Sequence, residues 1–247
     1  MSAVPRAAFD ALAAGYDARW TDTPAGMLQR EAVWRHVDPL IARGDRVLDL
    51  GCGTGEDARH LAGLGASVTA VDSSPQMVLR ARGKGVEAQV LAVEEIGKLQ
   101  GAYNLILSNF GVLNCVGNLS HLRAPLGDAM RPGSHLAICL MGRFCAWETA
   151  YYLACGKWRK AARRWFGTAT ASLGLRIHYP MVREVRQALA PAFELLEDVG
   201  IGMCVPPSFA LPLASGFVRG LGKIDRRCET GLLRIAADHR LLIFRRV

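Results

Sequence analysis

The run Val47-Leu48-Asp49-Leu50-Gly51-Cys52-Gly53-Thr54-Gly55-Glu56-Asp57 constrains this 247-residue chain more than any other. Apolar residues flank Asp49, and three glycines then fall at alternate positions. The pattern predicts a buried strand that ends in a tight turn and opens a helix at Glu56. Glycine is needed where the backbone takes positive φ or where a ligand presses on the main chain. The helix start adds unpaired N–H groups and a positive dipole end. Such a turn suits an anionic or zwitterionic nucleotide-like ligand. A second strand, Ser67-Val68-Thr69-Ala70-Val71, runs into Asp72. An acid about 20 residues past the glycine turn, at a strand tip, is placed to bind ribose hydroxyls.

The same alternation continues. Helices are expected over 7–20 and 26–42, then strand 46–50, helix 55–63, strand 67–71, helix 75–83 and strand 86–92. Strand 103–108, a helix over about 118–130 and strand 135–140 follow, then helix 181–189, strand 193–199 and a final strand from Arg240. Short apolar strands separated by helices imply an α/β fold with a mostly parallel sheet covered on both faces. Ligands bind such sheets at the carboxyl ends of the strands. No internal repeat or low-complexity linker interrupts the chain, so a single domain is expected.

Residues 47–83 resemble class I S-adenosylmethionine-dependent methyltransferases of the small-molecule type. The resemblance rests on Gly51-x-Gly53-x-Gly55 with Asp49 two residues ahead, on Asp72, and on the helix opening Ser73-Ser74-Pro75-Gln76-Met77. It implies a Rossmann-like, doubly wound, seven-stranded sheet with one antiparallel strand, closing with 193–199 and 240–246. It also implies S-adenosylmethionine as cofactor and S-adenosylhomocysteine as product. Carried over position by position, Gly51 and Gly53 lie under the amino-acid moiety, Asp49 reaches toward its ammonium, and Asp72 accepts both ribose hydroxyls. Ser73 and Met77 flank the adenine, with helix capping and core filling as their competing roles. Relatives carry an acid for the adenine amine where this chain has Ala92, within Leu91-Ala92-Val93-Glu94-Glu95. That leaves backbone, water or a neighbour such as Glu94 to meet it, with Val93 as a further cofactor-binding residue. Tyr16, in Phe9-Asp10-Ala11-Leu12-Ala13-Ala14-Gly15-Tyr16-Asp17, resembles the tyrosine of a helix that closes over the cofactor.

Ser108, Asn109 and Phe110 follow the fourth strand and are expected to line the methyl-transfer side, with Asn109 positioning the acceptor. Ser108-Asn109-Phe110-Gly111 has no acid where metal-dependent members carry one, so no metal is expected. It also lacks the Asn-Pro-Pro-aromatic run of nucleic-acid methyltransferases, which argues against a nucleic-acid acceptor. For a general base the candidates are His178 and Glu148. His36, His60, His135 and His239 are assigned to structure. Two insertions, about 143–180 and about 201–237, extend the core 1–142 as cap segments. In the first, Trp147, Tyr151 and Tyr152 are expected to contact the acceptor.

Charge is uneven. Residues 1–142 carry 13 Lys/Arg against 14 Asp/Glu, whereas residues 143–247 carry 17 against 8. Lys157, Arg159, Lys160, Arg163 and Arg164 interleave with Tyr152, Trp158 and Trp165, a pattern that also fits an acidic or membrane-associated lipid acceptor and peripheral membrane contact. A non-catalytic S-adenosylmethionine-binding subunit is the alternative from another class. The cysteines (52, 115, 139, 145, 155, 204, 228) show no zinc spacing and read as buried thiols. With no signal layout and no run of about 20 apolar residues, the expected location is cytoplasmic. Acceptor identity and oligomeric state stay open.

Overall fold

Seven of the apolar runs pair into one sheet. The computed structural model describes residues 4–99, 101–171, 174–206 and 215–247. In chain order the strands are β1 (Arg46–Leu50), β2 (Ser67–Asp72), β3 (Ala88–Val90), β4 (Tyr103–Ser108) and β5 (Met130–Met141). A separate hairpin, β6 (Thr168–Thr170) with β7 (Arg176–His178), precedes β8 (Phe193–Ile201) and β9 (His239–Arg246). The main sheet has the order β3-β2-β1-β4-β5-β9-β8, and β9 runs antiparallel to both β5 and β8. This is the Rossmann-like arrangement expected from the sequence.

Alternation along each strand divides the interior into two layers. Leu48, Leu50, Ile106, Leu136 and Ile138 face one side with Phe244. Val47, Leu105, Leu107, Ala137 and Cys139 face the other with Leu241 and Ile243. Helices α5 (Arg123–Asp128) and α8 (Val182–Leu189) cover the first layer through Leu126, Val185 and Leu189. Helices α2 (Pro24–Val37) and α3 (Glu56–Gly63) cover the second through Val33, Val37 and Leu61. Burial on both faces explains why β1 reads as an almost unbroken apolar run.

Several boundaries differ from expectation. The helix expected over 7–20 is α1 (Val4–Leu12) followed by a 3₁₀ turn at Ala13–Gly15 and a π turn at Asp17–Thr21. Side-chain anchors described below fix this segment to the domain and override a continuous helix. Helix α2 starts at Pro24, with the Thr23 hydroxyl accepting from the Gly26 N–H at 3.0 Å, and stops before Pro39. Strand β3 is shorter than 86–92 because its partner β2 ends at Asp72, paired with Val90. Helix α4 (Pro75–Gly83) matches its expected span. The stretch 118–130 divides into a 3₁₀ turn at Leu119–Leu122 and α5, and β5 starts at Met130 rather than 135.

The stretch 143–180 folds as α6 (Ala146–Ala154), α7 (Trp158–Ala161) and the hairpin. Residues 207–214 of the second expected insertion lie outside the described residues; α9 (Ser215–Cys228) and a 3₁₀ turn at Leu232–Ala236 lie within them. The segment 143–180 is held by buried charge. Glu148, 1% exposed, accepts from Arg163 Nε at 2.7 Å and from Arg164 Nη2 at 2.7 Å. Arg164 also donates to the Asp238 carboxylate at 2.7 Å and to the Asp238 carbonyl at 2.9 Å. Burial pushes the Asp238 carboxyl up, but His239 and Arg164 outweigh it and hold it below the usual range. Removing Glu148 leaves Arg164 with Asp238 alone and takes one acceptor from each arginine. Glu148→Ala should therefore lower the unfolding free energy by about 1–3 kcal/mol in a urea titration, the scale of buried donors left without a partner. A loss below about 1 kcal/mol, the scale of a surface pair, would mean that Glu148 does not anchor this group.

His36 on α2 lies 3.2 Å from Glu229 and 3.4 Å from Glu197. The hydrogen bond to Glu229 raises its pKa, against burial. A raised folded-state pKa gives stability that is fully present below the ordinary histidine value of about 6.5 and is lost as pH rises through the folded value. The stability difference between wild type and His36→Gln should be largest near pH 5.5 and shrink by about pH 8.5. A pH-independent difference in paired denaturation curves would remove this linkage.

Candidate active site

A cavity of about 350 Å³ opens at the carboxyl ends of β1, β2 and β4. Its floor is the glycine turn. Gly51 has φ +85°, and a Cβ there would lie 2.4 Å from Val112 Cγ1. Gly53 has φ +52°, and a Cβ there would meet nothing within 4 Å, so the backbone lies open to a ligand. Its N–H donates to Asp72 Oδ2 at 2.9 Å, and the Ser74 N–H donates to Asp72 Oδ1 at 2.8 Å. The carboxylate is thereby fixed in orientation, with a further acceptor lone pair on each oxygen. Burial raises the Asp72 pKa, and these two N–H groups counter it.

Below the turn, Asp49 is 1% exposed and its Oδ2 has no partner. Burial, then the like charge of Asp57, holds this carboxyl well above the usual carboxylate range. An orphaned buried acceptor of this kind lacks a cationic donor.

The N-terminal segment is latched over the cavity at two points. Asp10 accepts from Ser74 Oγ at 2.6 Å and from the Gln76 N–H at 3.1 Å, joining α1 to the start of α4. Asp17 accepts from Thr54 Oγ1 at 2.6 Å and pairs with Lys84 at 2.8 Å. Between these latches Tyr16 reaches the cavity wall, near Arg6 and Phe9. Burial raises the Tyr16 pKa, so its hydroxyl stays protonated at neutral pH.

The opposite wall converges on Asp57, in the first turn of α3. Asp57 is 5% exposed and accepts from Arg30 Nη1 at 2.5 Å, Trp34 Nε1 at 2.8 Å and Asn109 Nδ2 at 3.1 Å. Burial opposes the Arg30 charge, but Asp57 outweighs it and the guanidinium stays cationic. Arg30 lines the cavity, lies 4.9 Å from the centre of the Phe110 ring, and keeps a buried Nε with no partner.

The sequence-predicted residues separate into two groups. Tyr16, Gly51, Gly53, Asp72, Ser73, Met77, Val93, Glu94, Asn109 and Phe110 line the cavity, and Asp49 lies beneath it. Met77 is 1% exposed, and its N–H is capped by Ser74 Oγ. Asn109 is already engaged: Oδ1 accepts the Phe110 N–H at 3.0 Å while Nδ2 donates to Asp57. The remaining residues lie elsewhere. Ser108 is buried and donates to the Leu50 carbonyl at 3.1 Å, so it ties β4 to β1. His178 lines a second cavity of about 240 Å³ with Asn118, Arg143 and Glu184, and Val116 lines both this cavity and the first. Glu148 is buried in the arginine clamp. Trp147, Tyr151 and Tyr152 do not line the main cavity, because α6 packs beside α7 instead of over the cleft. Sequence reading missed Arg30, Asp57 and the Asp10 and Asp17 latches. The one available signal was Asp57 itself, an acid directly after the glycine turn that must be paired if buried.

A family model for a methyltransferase domain matches residues 23–192, more than half of the chain. Trans-aconitate 2-methyltransferase of Mycobacterium tuberculosis is 36% identical over 162 residues, covering 65% of this chain and 58% of that protein. Demethylmenaquinone methyltransferase of Tropheryma whipplei is 32% identical over 144 residues, covering 54% and 57%. The chain thus spans less than two thirds of the length of either relative. In fold it is similar to an S-adenosylmethionine-dependent methyltransferase from Mesorhizobium loti, with a TM-score of 0.58 at 19% identity over 87% of this chain and 98% of that one.

Asp57→Ala should destabilise the protein by about 3–5 kcal/mol, because Arg30 is left as an uncompensated charge. Adding Arg30→Met should recover part of that loss in a double-mutant cycle by chemical denaturation. Strictly additive effects would show that the two groups are not coupled.

Proposed function

Because the chain belongs to the class I S-adenosylmethionine-dependent methyltransferases, we propose that it transfers the methyl group to a small organic acceptor held beside Tyr16 and Phe110. The relatives' names, trans-aconitate and demethylmenaquinone methyltransferase, support a small-molecule acceptor. S-adenosylmethionine supplies a methyl group already activated on a sulfonium. The chain's part is then to bind, orient and exclude water.

Asp72 accepts the ribose diol through the lone pairs left on its oriented carboxylate. Asp49, whose orphaned Oδ2 lacks a donor, takes the amino-acid ammonium directly or through water. Arg30 meets the amino-acid carboxylate with its unused Nε, a contact that its charge strengthens. Met77 and Val93 enclose the adenine, and Glu94 or the backbone beside Ala92 takes the exocyclic amine. The segment from Arg6 to Tyr16 and the loop 109–116 close the site, whereas the insertion 143–180 supports it from behind. Asn109 acts as a positioning residue through Asp57.

The orientation of Asp72 by two backbone N–H groups is the observation that carries this reading. Asp72→Ala should weaken S-adenosylhomocysteine binding by about 1.5–3 kcal/mol in calorimetry, the scale of hydrogen bonds to a charged group. Unchanged affinity in a folded variant would remove Asp72 from the ribose role. Mass spectrometry of a small-molecule panel incubated with enzyme and S-adenosylmethionine identifies the acceptor by a gain of one methyl.

A further inference from the structure

The stretch from Glu148 to Glu184 contains no acidic residue between its ends, yet it holds Lys157, Arg159, Lys160, Arg163, Arg164, Arg176 and Arg183. Arg163 and Arg164 turn inward to Glu148. Every residue from Leu153 to Lys160 is exposed, whereas Ala161 and Arg164 are buried and anchor the segment. Around these anchors large apolar side chains point to water: Leu153 is 56% exposed, Trp158 66%, Trp165 50% and Phe166 80%. Nothing in the described fold covers them. Isolated exposed apolar residues are ordinary, but a cluster of aromatic and aliphatic groups rimmed by cations marks an interaction face.

We propose that this α6–α7 face docks peripherally on an anionic lipid bilayer. Indole and phenyl rings settle at the headgroup boundary, where an apolar body and a polar rim are both satisfied. Lys157, Arg159 and Lys160 meet the lipid phosphates, and the absence of any acid in the segment removes the repulsion that an anionic surface otherwise raises. The Arg159 guanidinium lies 5.3 Å from the Trp158 ring centre, so charge and indole are presented together. No helix among the described residues is long and apolar enough to cross a membrane, so the contact is on the surface. The face is also joined to the cleft. Arg164 binds Asp238, the next residue His239 meets Phe110 edge-on at 5.3 Å, and Phe110 lines the cavity. The docking itself rests on exposure and charge alone and is independent of the methyl-transfer reading.

The test is sedimentation of the full chain with vesicles of phosphatidylcholine alone or mixed equally with phosphatidylglycerol. The wild type should partition at least about tenfold more strongly onto the anionic vesicles, since each basic residue near such a surface contributes roughly fivefold. Lys157→Glu/Arg159→Glu/Lys160→Glu and Trp158→Ser/Phe166→Ser should each lose most of this binding while keeping S-adenosylhomocysteine affinity, the check that they fold. In the unaltered protein, brominated lipid in the anionic vesicles should quench tryptophan fluorescence. Equal binding to both vesicle types, no quenching, capture of single-stranded RNA in preference to lipid, or burial of the face in a dimer that excludes vesicles would each overturn the proposal.

Discussion

The geometry of the cleft depends on one buried carboxylate. Asp57 takes three donors, from Arg30 and Trp34 on α2 and from Asn109 after β4, and so fixes two elements, α2 and the loop after β4, relative to the glycine turn. Its place in the first turn of α3 adds the favourable end of the helix dipole. A carboxylate buried this deeply is tolerated only when it is paired and hydrogen-bonded. The pairing also makes Arg30 tolerable in the cavity wall, with Nε still unused. Without Asp57, the cation, the indole N–H and the amide would all lose their partner together.

That arrangement also holds a strained backbone. Phe110 has φ +48°, uncommon for a residue with a side chain, and Gly111 follows at φ +82°. A non-glycine residue in this region costs on the order of 1–3 kcal/mol and persists only where its surroundings determine it. Here the Phe110 N–H is taken by Asn109, one face of the ring lies against Arg30, and His239 meets it edge-on. The reversal turns residues 109–116 back over the cleft, bringing Val112 against Gly51. The contact leaves no room for a side chain at Gly51, so the glycine is required by its opposing loop as well as by its own φ.

The parallel sheet was legible because its strands are buried on both faces, which forces near-continuous apolar runs such as Val47–Leu50 and Leu105–Leu107. The glycine turn and Asp72 were legible because backbone conformation and a strand-end acid leave a local signature. What sequence reading missed is non-local. Arg30 and Asp57 are 27 residues apart, and Asp10 reaches Gln76 across 66. No periodicity encodes such pairs. The aromatic insertion misled for a related reason: Trp147, Tyr151 and Tyr152 have the composition of a pocket wall, but Glu148 turns inward to the arginine clamp and directs α6 away from the cleft. Composition reports what a surface can do, and the buried anchor decides where it faces.

The protonation pattern of the cleft then narrows the chemistry. Burial, with Asp72 and Glu94 adding to it, pushes the Cys115 thiol up to about 11, and burial raises the Cys52 thiol as well. The Tyr16 hydroxyl is raised too. All three border the cavity as protonated groups at neutral pH, so none is a ready base or a competing nucleophile toward an activated methyl. Asp57 and Asp72 are engaged by donors in the fold. Burial and Arg176 lower the His178 pKa, which suits a neutral imidazole, but the residue lines the second cavity and not the main one. Asp57 and Asp72 are thus engaged, Glu94 and Asp49 are assigned in the proposed reading to the cofactor's adenine amine and ammonium, and His178 lines the second cavity. That favours positioning and desolvation as the proposed source of rate, and an acceptor whose own atom carries the nucleophilic lone pair into the site.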